Sequence, residues 1–277
     1  MALNMTTFAA ALKQHYTDEK IENMVYKDNP FLAMLSKYED FGGENLKLPV
    51  KYGIPMGRSA NFEKAVTNKS ASQLKAFLLT RKADYAIASI ANETIEASKG
   101  NANAFIEAAT FEIDGAIESA TRSLAISLYG DGSGSLGVVG ALSTGTATND
   151  TVTLATIQDV TNFEVGGSFV FGSSTTIRTI DSINRDTGVI EFNDNVSTVG
   201  GTVAAKIYIE GDKDAMLSGL ASWLPATAPA STDSFFGVNR SADATRLGGI
   251  RFAGGSLPLE EALIGAAARV AREGGKP

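Results

Sequence analysis

Residues 104–130 read AFIEAATFEIDGAIESATRSLAISLYG. Ile106, Ala109, Ile113, Ile117, Ala120, Leu124 and Leu128 recur at spacings of three and four, which puts them on one face of an α-helix. Asn103 is suited to cap its start and Gly130 to end it. At about 1.5 Å per residue such a helix runs roughly 40 Å, longer than a small domain is wide. One apolar stripe on so long a rod suits a spine on which other elements lie.

Upstream of the helix the period is two. Leu46, Leu48, Val50 and Tyr52 alternate with Lys47, Pro49 and Lys51, and Pro49 confines this run to an edge or exposed strand. GIPMGRSAN (53–61) and the polar TNKSAS (67–72) then lead to a second extended run from Gln73 to about Ile90. Together they predict a long β-hairpin with a loose tip. Two strands are marginal alone in water, so the hairpin must lean on something in its own chain or a neighbour's. The first forty residues read as an arm of short helical pieces. Phe8, Ala11, Leu12 and His15 share one face, and Asn29 with Pro30 forms an N-cap and N1 pair ahead of Phe31, Leu32 and Leu35.

Downstream of the helix, Asp131 to Gly145 is rich in Gly and Ser, and from Thr151 short strands follow one another. They are expected at 152–154, 168–171, 175–183, 189–192 and 203–210, separated by turn clusters such as NRDTG and NDN. Such a run describes a small β-barrel or sandwich. Helix returns near the end: Ser256 and Pro258, with Glu260 and Glu261 in the first turn, lead a stripe of Leu259, Leu263, Ala266 and Val270 that stops at Gly274 and Gly275. The whole is α+β, with the β module inserted in a larger domain.

The 277 residues include no Cys and one His, which excludes thiolate catalysis, Cys-bound zinc, iron–sulfur clusters and disulfides. No apolar run approaches the roughly 20 residues that span a bilayer, and the N-terminus lacks a basic segment followed by an apolar core. Gly132-Ser-Gly134-Ser-Leu-Gly137 matches GxGxxG, but a helix precedes it, where the dinucleotide motif needs a strand before and a helix after. Asp212-Lys-Asp214 lacks the later Gly and Glu of a calcium loop and reads as a polar turn. No catalytic, cofactor or metal motif is present, and the chain is not expected to be an enzyme.

Charge is unevenly spread over a net −7. From Glu44 to Lys82 the balance is +6, carried by Lys47, Lys51, Arg58, Lys64, Lys69, Lys75, Arg81 and Lys82; residues 92–130 carry −4 and residues 131–205 carry −6. A basic hairpin beside acidic modules suits binding to another copy of the same chain. The alternative is nucleic acid, with phosphates on the cations and bases stacked on Tyr52, Phe62 and Phe77.

The order of parts, together with DNPFLAMLSKYEDFGGENLKLPVKYG (28–53), LSGLASWLPA (217–226), DSFFGVNRSADATRLGG (233–249) and LPLEEALIGAAARVAREGGKP (257–277), resembles the tailed-bacteriophage major capsid proteins of the Hong Kong 97 fold. The resemblance implies an N-terminal arm at 1–40, an E-loop hairpin and flanking strand at 41–91, and a spine helix and linker of the peripheral (P) domain at 92–136. It further implies the start of an axial (A) domain at 137–148, an inserted β-rich domain at 149–212, and more of the A domain at 213–277. Members of that family continue past the equivalent of Pro277, so their C-terminal part is expected to be absent here. With it would go the partner region for any crosslink to Lys64 or Lys69, and none is expected.

As function, the resemblance implies self-assembly into hexamers and pentamers of an icosahedral shell that encloses double-stranded DNA without reading its sequence. Assembly would take place in the bacterial host cytoplasm and end in the virion capsid, with scaffold, portal and cement proteins as further partners and no cofactor. The family lays its E-loop across a neighbour's P domain. Lys47, Lys51, Arg58, Lys64, Lys69 and Lys75 are the contact candidates on the hairpin.

Overall fold

The structure, a computed structural model, describes residues 29–36, 38, 41–89, 102–144 and 150–274. The expected helix carrying Phe8, Ala11, Leu12 and His15 lies outside them. In chain order the elements are α1 (Pro30–Met34), β1 (Asn45–Gly53), α2 (Phe62–Thr67), β2 (Gln73–Thr80), α3 (Ala102–Tyr129), β3 (Ser135–Thr144), β4 (Asp150–Leu154), β5 (Ser168–Phe171), β6 (Arg178–Asn184), β7 (Val189–Phe192), β8 (Lys206–Ile209), α4 (Leu220–Trp223), β9 (Ser234–Phe235), β10 (Val238–Asn239) and α5 (Leu259–Arg272). They fall into two compact units, residues 1–37 with 82–219 and residues 38–81 with 220–277.

In the first unit α3 starts at Ala102, so Asn103 is a helical residue and not the expected cap. The helix ends as expected at Gly130, whose N–H bonds the Ile126 and Ser127 carbonyls. Along its stripe Ile113, Ile117, Ala120 and Leu124 are half-buried and Leu128 is buried. Asn29 takes the expected N-cap position ahead of Pro30, but without a capping hydrogen bond. Its side chain instead donates to the Thr121 carbonyl of α3 at 3.4 Å, while Phe31 stacks on Tyr129 at 5.1 Å. Residues 29–31 thus rest on α3 of their own chain.

Strands β3-β4-β7-β6-β5-β8 close into an antiparallel barrel. Alternation turns Val152, Leu154, Phe169, Phe171, Ile190, Phe192 and Ile207 into one buried core. Edge contacts order its rings, with Phe171 on Phe192 and Phe163 beside Phe169, both at 5.2 Å. The sixth strand, β3, occupies residues that composition marked as a linker and as the start of an A domain. Its glycines serve close packing: a Cβ on Gly140 would come within 2.8 Å of the Ala155 backbone, and one on Gly137 would meet the Phe163 ring at 3.2 Å. The last strand is shorter than the expected 203–210 because Ala204 adopts a positive φ of 67° just before it.

In the second unit β1 and β2 pair antiparallel, with Leu46 opposite Leu79 and Leu48 opposite Phe77. The second strand ends at Thr80 and not near Ile90, and residues 81–89 carry no regular structure. Phe77 is buried with Val238 and Leu247. Trp223 and Phe235 meet its edge at 5.5 and 6.2 Å, and Val50, Tyr52 and Leu79 pack around the cluster. The hairpin therefore leans on residues 220–247 of its own chain.

Those residues are held by a tight hairpin of β9 and β10 whose two turn residues, Phe236 and Gly237, both have positive φ, 46° and 79°. That turn normally takes Asn-Gly, and a bulky residue there is strained. The strain is offset: the Phe236 ring stacks on Trp223 at 5.7 Å and its carbonyl accepts the Leu78 N–H of β2 at 3.0 Å.

Candidate assembly surfaces

Of the eight cations between Glu44 and Lys82, two are used within the chain. The Arg81 guanidinium donates to the Phe41 carbonyl and lies 4.6 Å over that ring, and Lys82 Nζ donates to the Asp214 carbonyl at 3.0 Å. The other six are the sequence-derived contact candidates. Lys47, Lys51, Arg58, Lys64 and Lys69 are exposed, Lys75 is half-buried beside Phe77, and none forms an ion pair among the described residues.

Sequence reasoning missed the apolar half of the same surface. Ile54, Met56, Phe62, Val66 and Leu74 are all more than half exposed at the distal end of the hairpin. That end is built and not loose: the Asn61 side chain caps α2 by accepting from the Glu63 and Lys64 N–H groups, and Met56 N–H bonds the Ser70 hydroxyl at 2.8 Å. Of the three aromatics considered for base stacking, Phe77 is buried, Tyr52 is half-buried against the same cluster, and only Phe62 is free to stack.

Acidic side chains lie on α3, where Glu112, Asp114 and Glu118 are exposed, and on the barrel. Several barrel acids are matched by cations. Glu164 binds both Arg122 and Arg185, which hold its carboxyl below the ordinary range; Asp194 meets Arg178 at 3.4 Å. Burial opposes ionisation of Asp131, but hydrogen bonds from Ser133 and the Lys206 ammonium at 3.1 Å overcome it and its pKa is lowered. Among the described residues no three acids or His are grouped to hold a metal. The GxGxxG stretch is the turn from α3 into β3, with Gly132 and Gly134 at positive φ and a Cβ on Gly134 only 2.2 Å from the Asp212 carbonyl oxygen.

Between the C-terminal half of α3 and the barrel runs a groove of about 670 Å³, lined also by Asp212, Met216 and Leu217. Its lining mixes Ile126, Phe169 and Met216 with the carboxylates of Glu118, Asp131, Glu164 and Asp212 and a single cation, Arg122. Burial, followed by the nearby Asp84 carboxylate, raises the Asp212 pKa. A carboxyl whose folded pKa lies above its unfolded value costs stability at neutral pH, and the cost disappears as pH falls through that raised value. Asp212→Asn is therefore expected to raise the melting temperature slightly at pH 7, with the advantage vanishing toward acid pH, as read by thermal unfolding at both.

The last apolar surface is α5. It has no buried residue; Leu259, Leu263 and Ile264 are each more than three-fifths exposed. Its other face is anchored by Phe252, whose ring lies where a Cβ on Gly265 would come within 2.5 Å. No helix among the described residues is long and apolar enough to cross a membrane. No family model, curated protein or solved structure matches the chain.

Proposed function

We propose that the chain is a structural protein that self-associates, and specifically a tailed-bacteriophage major capsid protein of the Hong Kong 97 type. Its copies would form hexamers and pentamers of a shell around double-stranded DNA. The reading rests on the residue stretches that resemble that family and on one structural observation: the distal hairpin presents five exposed apolar side chains beside cations that form no ion pair among the described residues. A solitary protein gains nothing from such a surface, whereas a neighbour bearing opposite charge would cover it. The exposed Glu112 and Glu118 of α3 offer that charge. The mechanism is association and not turnover.

The same cations also favour one other reading, binding of nucleic acid through phosphates. Of the three aromatics considered for stacking only Phe62 is accessible, and the chain as a whole is acidic.

Reversing two tip charges, Lys64→Glu with Lys69→Glu, separates the possibilities. Both side chains are exposed, so the fold should keep its melting temperature. Assembly, followed by sedimentation, should need about tenfold more protein or fail, and its dependence on salt should flatten. Unchanged assembly would remove the hairpin charges from the account, and loss of nucleic-acid binding with no effect on assembly would favour the rival.

A further inference from the structure

We propose that the groove between α3 and the barrel is a binding site for a linear polyamine, a chain of protonated amines joined by methylene spacers. The site lies wholly within the first unit and does not depend on the self-assembly reading.

Its shape favours a long ligand. The groove is lined by α3 from Gly115 to Gly130, a stretch of roughly 22 Å along the helix axis. Its volume of about 670 Å³ lies within the ~300–1,000 Å³ of small-molecule sites. Spread along that length, it suits an extended chain better than a compact ring system. Ile126, Leu136, Phe169 and Ile209 give it apolar contact for methylene groups. Ser119, Ser123 and Ser127 recur every four residues and so share one face of the helix. Ser127 is only 7% exposed, yet its hydroxyl makes no hydrogen bond among the described residues. An amine N–H in the groove would give that oxygen the partner a buried hydroxyl needs.

Charge selects the occupant. The lining carboxylates of Glu118, Asp131, Glu164 and Asp212, with Asp84 beside Asp212, meet the cations of Arg122, Arg185 and Lys206. Lys82 reaches the Asp214 backbone at the same end, and those two charges cancel. Two negative charges are left over, at Glu118 and at the Asp84 and Asp212 pair. Asp212 is the less comfortable of the two sites: burial and the Asp84 carboxylate both oppose its charge, and an ammonium between them would relieve both. Asp84 is held by the Ser123 hydroxyl, and Glu118 lies roughly 8 Å up the helix axis from Ser123. One metal ion cannot serve both places, and among the described residues no three acids are grouped to hold one. Two amines on one flexible chain can.

Spermidine is the probe, titrated calorimetrically into the full-length protein at neutral pH and low salt. One saturable site per chain is expected, with a matching rise in melting temperature. Glu118→Gln and Asp212→Asn should each weaken binding about five- to tenfold, and Ser127→Ala, which keeps a good helix former in place, by about threefold. Glu44→Gln removes an exposed carboxylate outside the groove and should change nothing. Butylamine, with a single ammonium, should bind more than about tenfold more weakly.

An absence of saturable heat would overturn the proposal. So would an equal loss with Glu44→Gln, or magnesium matching spermidine at equal charge, since either marks a diffuse ion atmosphere and not a site. Spermidine binding that survives both Glu118→Gln and Asp212→Asn would place the ligand elsewhere on the chain and equally overturn it.

Discussion

Phe77→Ala is expected to destabilise the second unit by about 3–5 kcal/mol, the range for emptying a buried aromatic site. Phe77 is 3% exposed and is the one fully buried side chain of the β1–β2 hairpin. Its ring touches the edges of Trp223 and Phe235, and the neighbouring Leu78 N–H bonds the Phe236 carbonyl. Removing the ring leaves a cavity bounded by Trp223 and Phe235, which are held by the neighbouring turn at Phe236 and cannot readily collapse into it. The loss should appear in denaturant unfolding followed by Trp223 fluorescence, and amide exchange should rise at β1, β2 and β9 together. Leu48→Ala, opposite Phe77 in the ladder but 42% exposed, should cost far less. Equal losses would mean that the hairpin is not held through Phe77.

The second large effect is expected at Arg240. This guanidinium is 4% exposed, donates to the Ser222 carbonyl at 2.8 Å, meets Asp233 at 3.3 Å, and lies 4.1 Å over the Phe235 ring. It ties α4, the loop before β9 and the β9 strand to one point. Removing one partner of a buried ion pair commonly costs about 3–5 kcal/mol, but the Asp233 side chain is 41% exposed and can rehydrate, so Arg240→Ala should cost about 2–3 kcal/mol. Arg240→Lys should recover little, because an ammonium cannot reach the carbonyl and the carboxylate while lying flat on the ring. Full recovery by Lys would show that charge alone matters. Denaturant midpoints of the two variants decide it.

What could be read in the sequence follows from how local each signal is. The stripe of α3 and the short apolar runs between turn clusters at β4, β5 and β7 are properties of neighbouring residues, and the elements lie where the pattern put them. Strand β3 hid because Gly137 and Gly140 look like loop residues until Ala155 and Phe163 are seen pressed against them. The second hairpin strand was extended too far because residues 81–89 keep an apolar alternation, while contacts distant in sequence, Lys82 to Asp214 and Asp84 to Ser123, carry the chain away from the ladder. Phe77 reads in the sequence as a ring on which bases could stack, because Trp223 and Phe235, which bury it, lie some 150 residues away. The six hairpin cations were legible from charge counting alone. Their apolar neighbours were not, because Ile54, Met56, Phe62, Val66 and Leu74 look like ordinary core residues until their exposure is known. The groove was invisible: its lining comes from residues 115–136, 162–169, 209 and 212–217, which only the fold brings together.

The measurement that bears most directly on self-assembly is electron microscopy with sedimentation of the full-length protein, expressed alone and together with its neighbouring genes, at low and moderate salt. Self-assembly as a capsid protein predicts shells, tubes or capsomer rings and a boundary far heavier than one chain. A protein that sediments as a monomer at every concentration and salt, with no particle in the field, would contradict it.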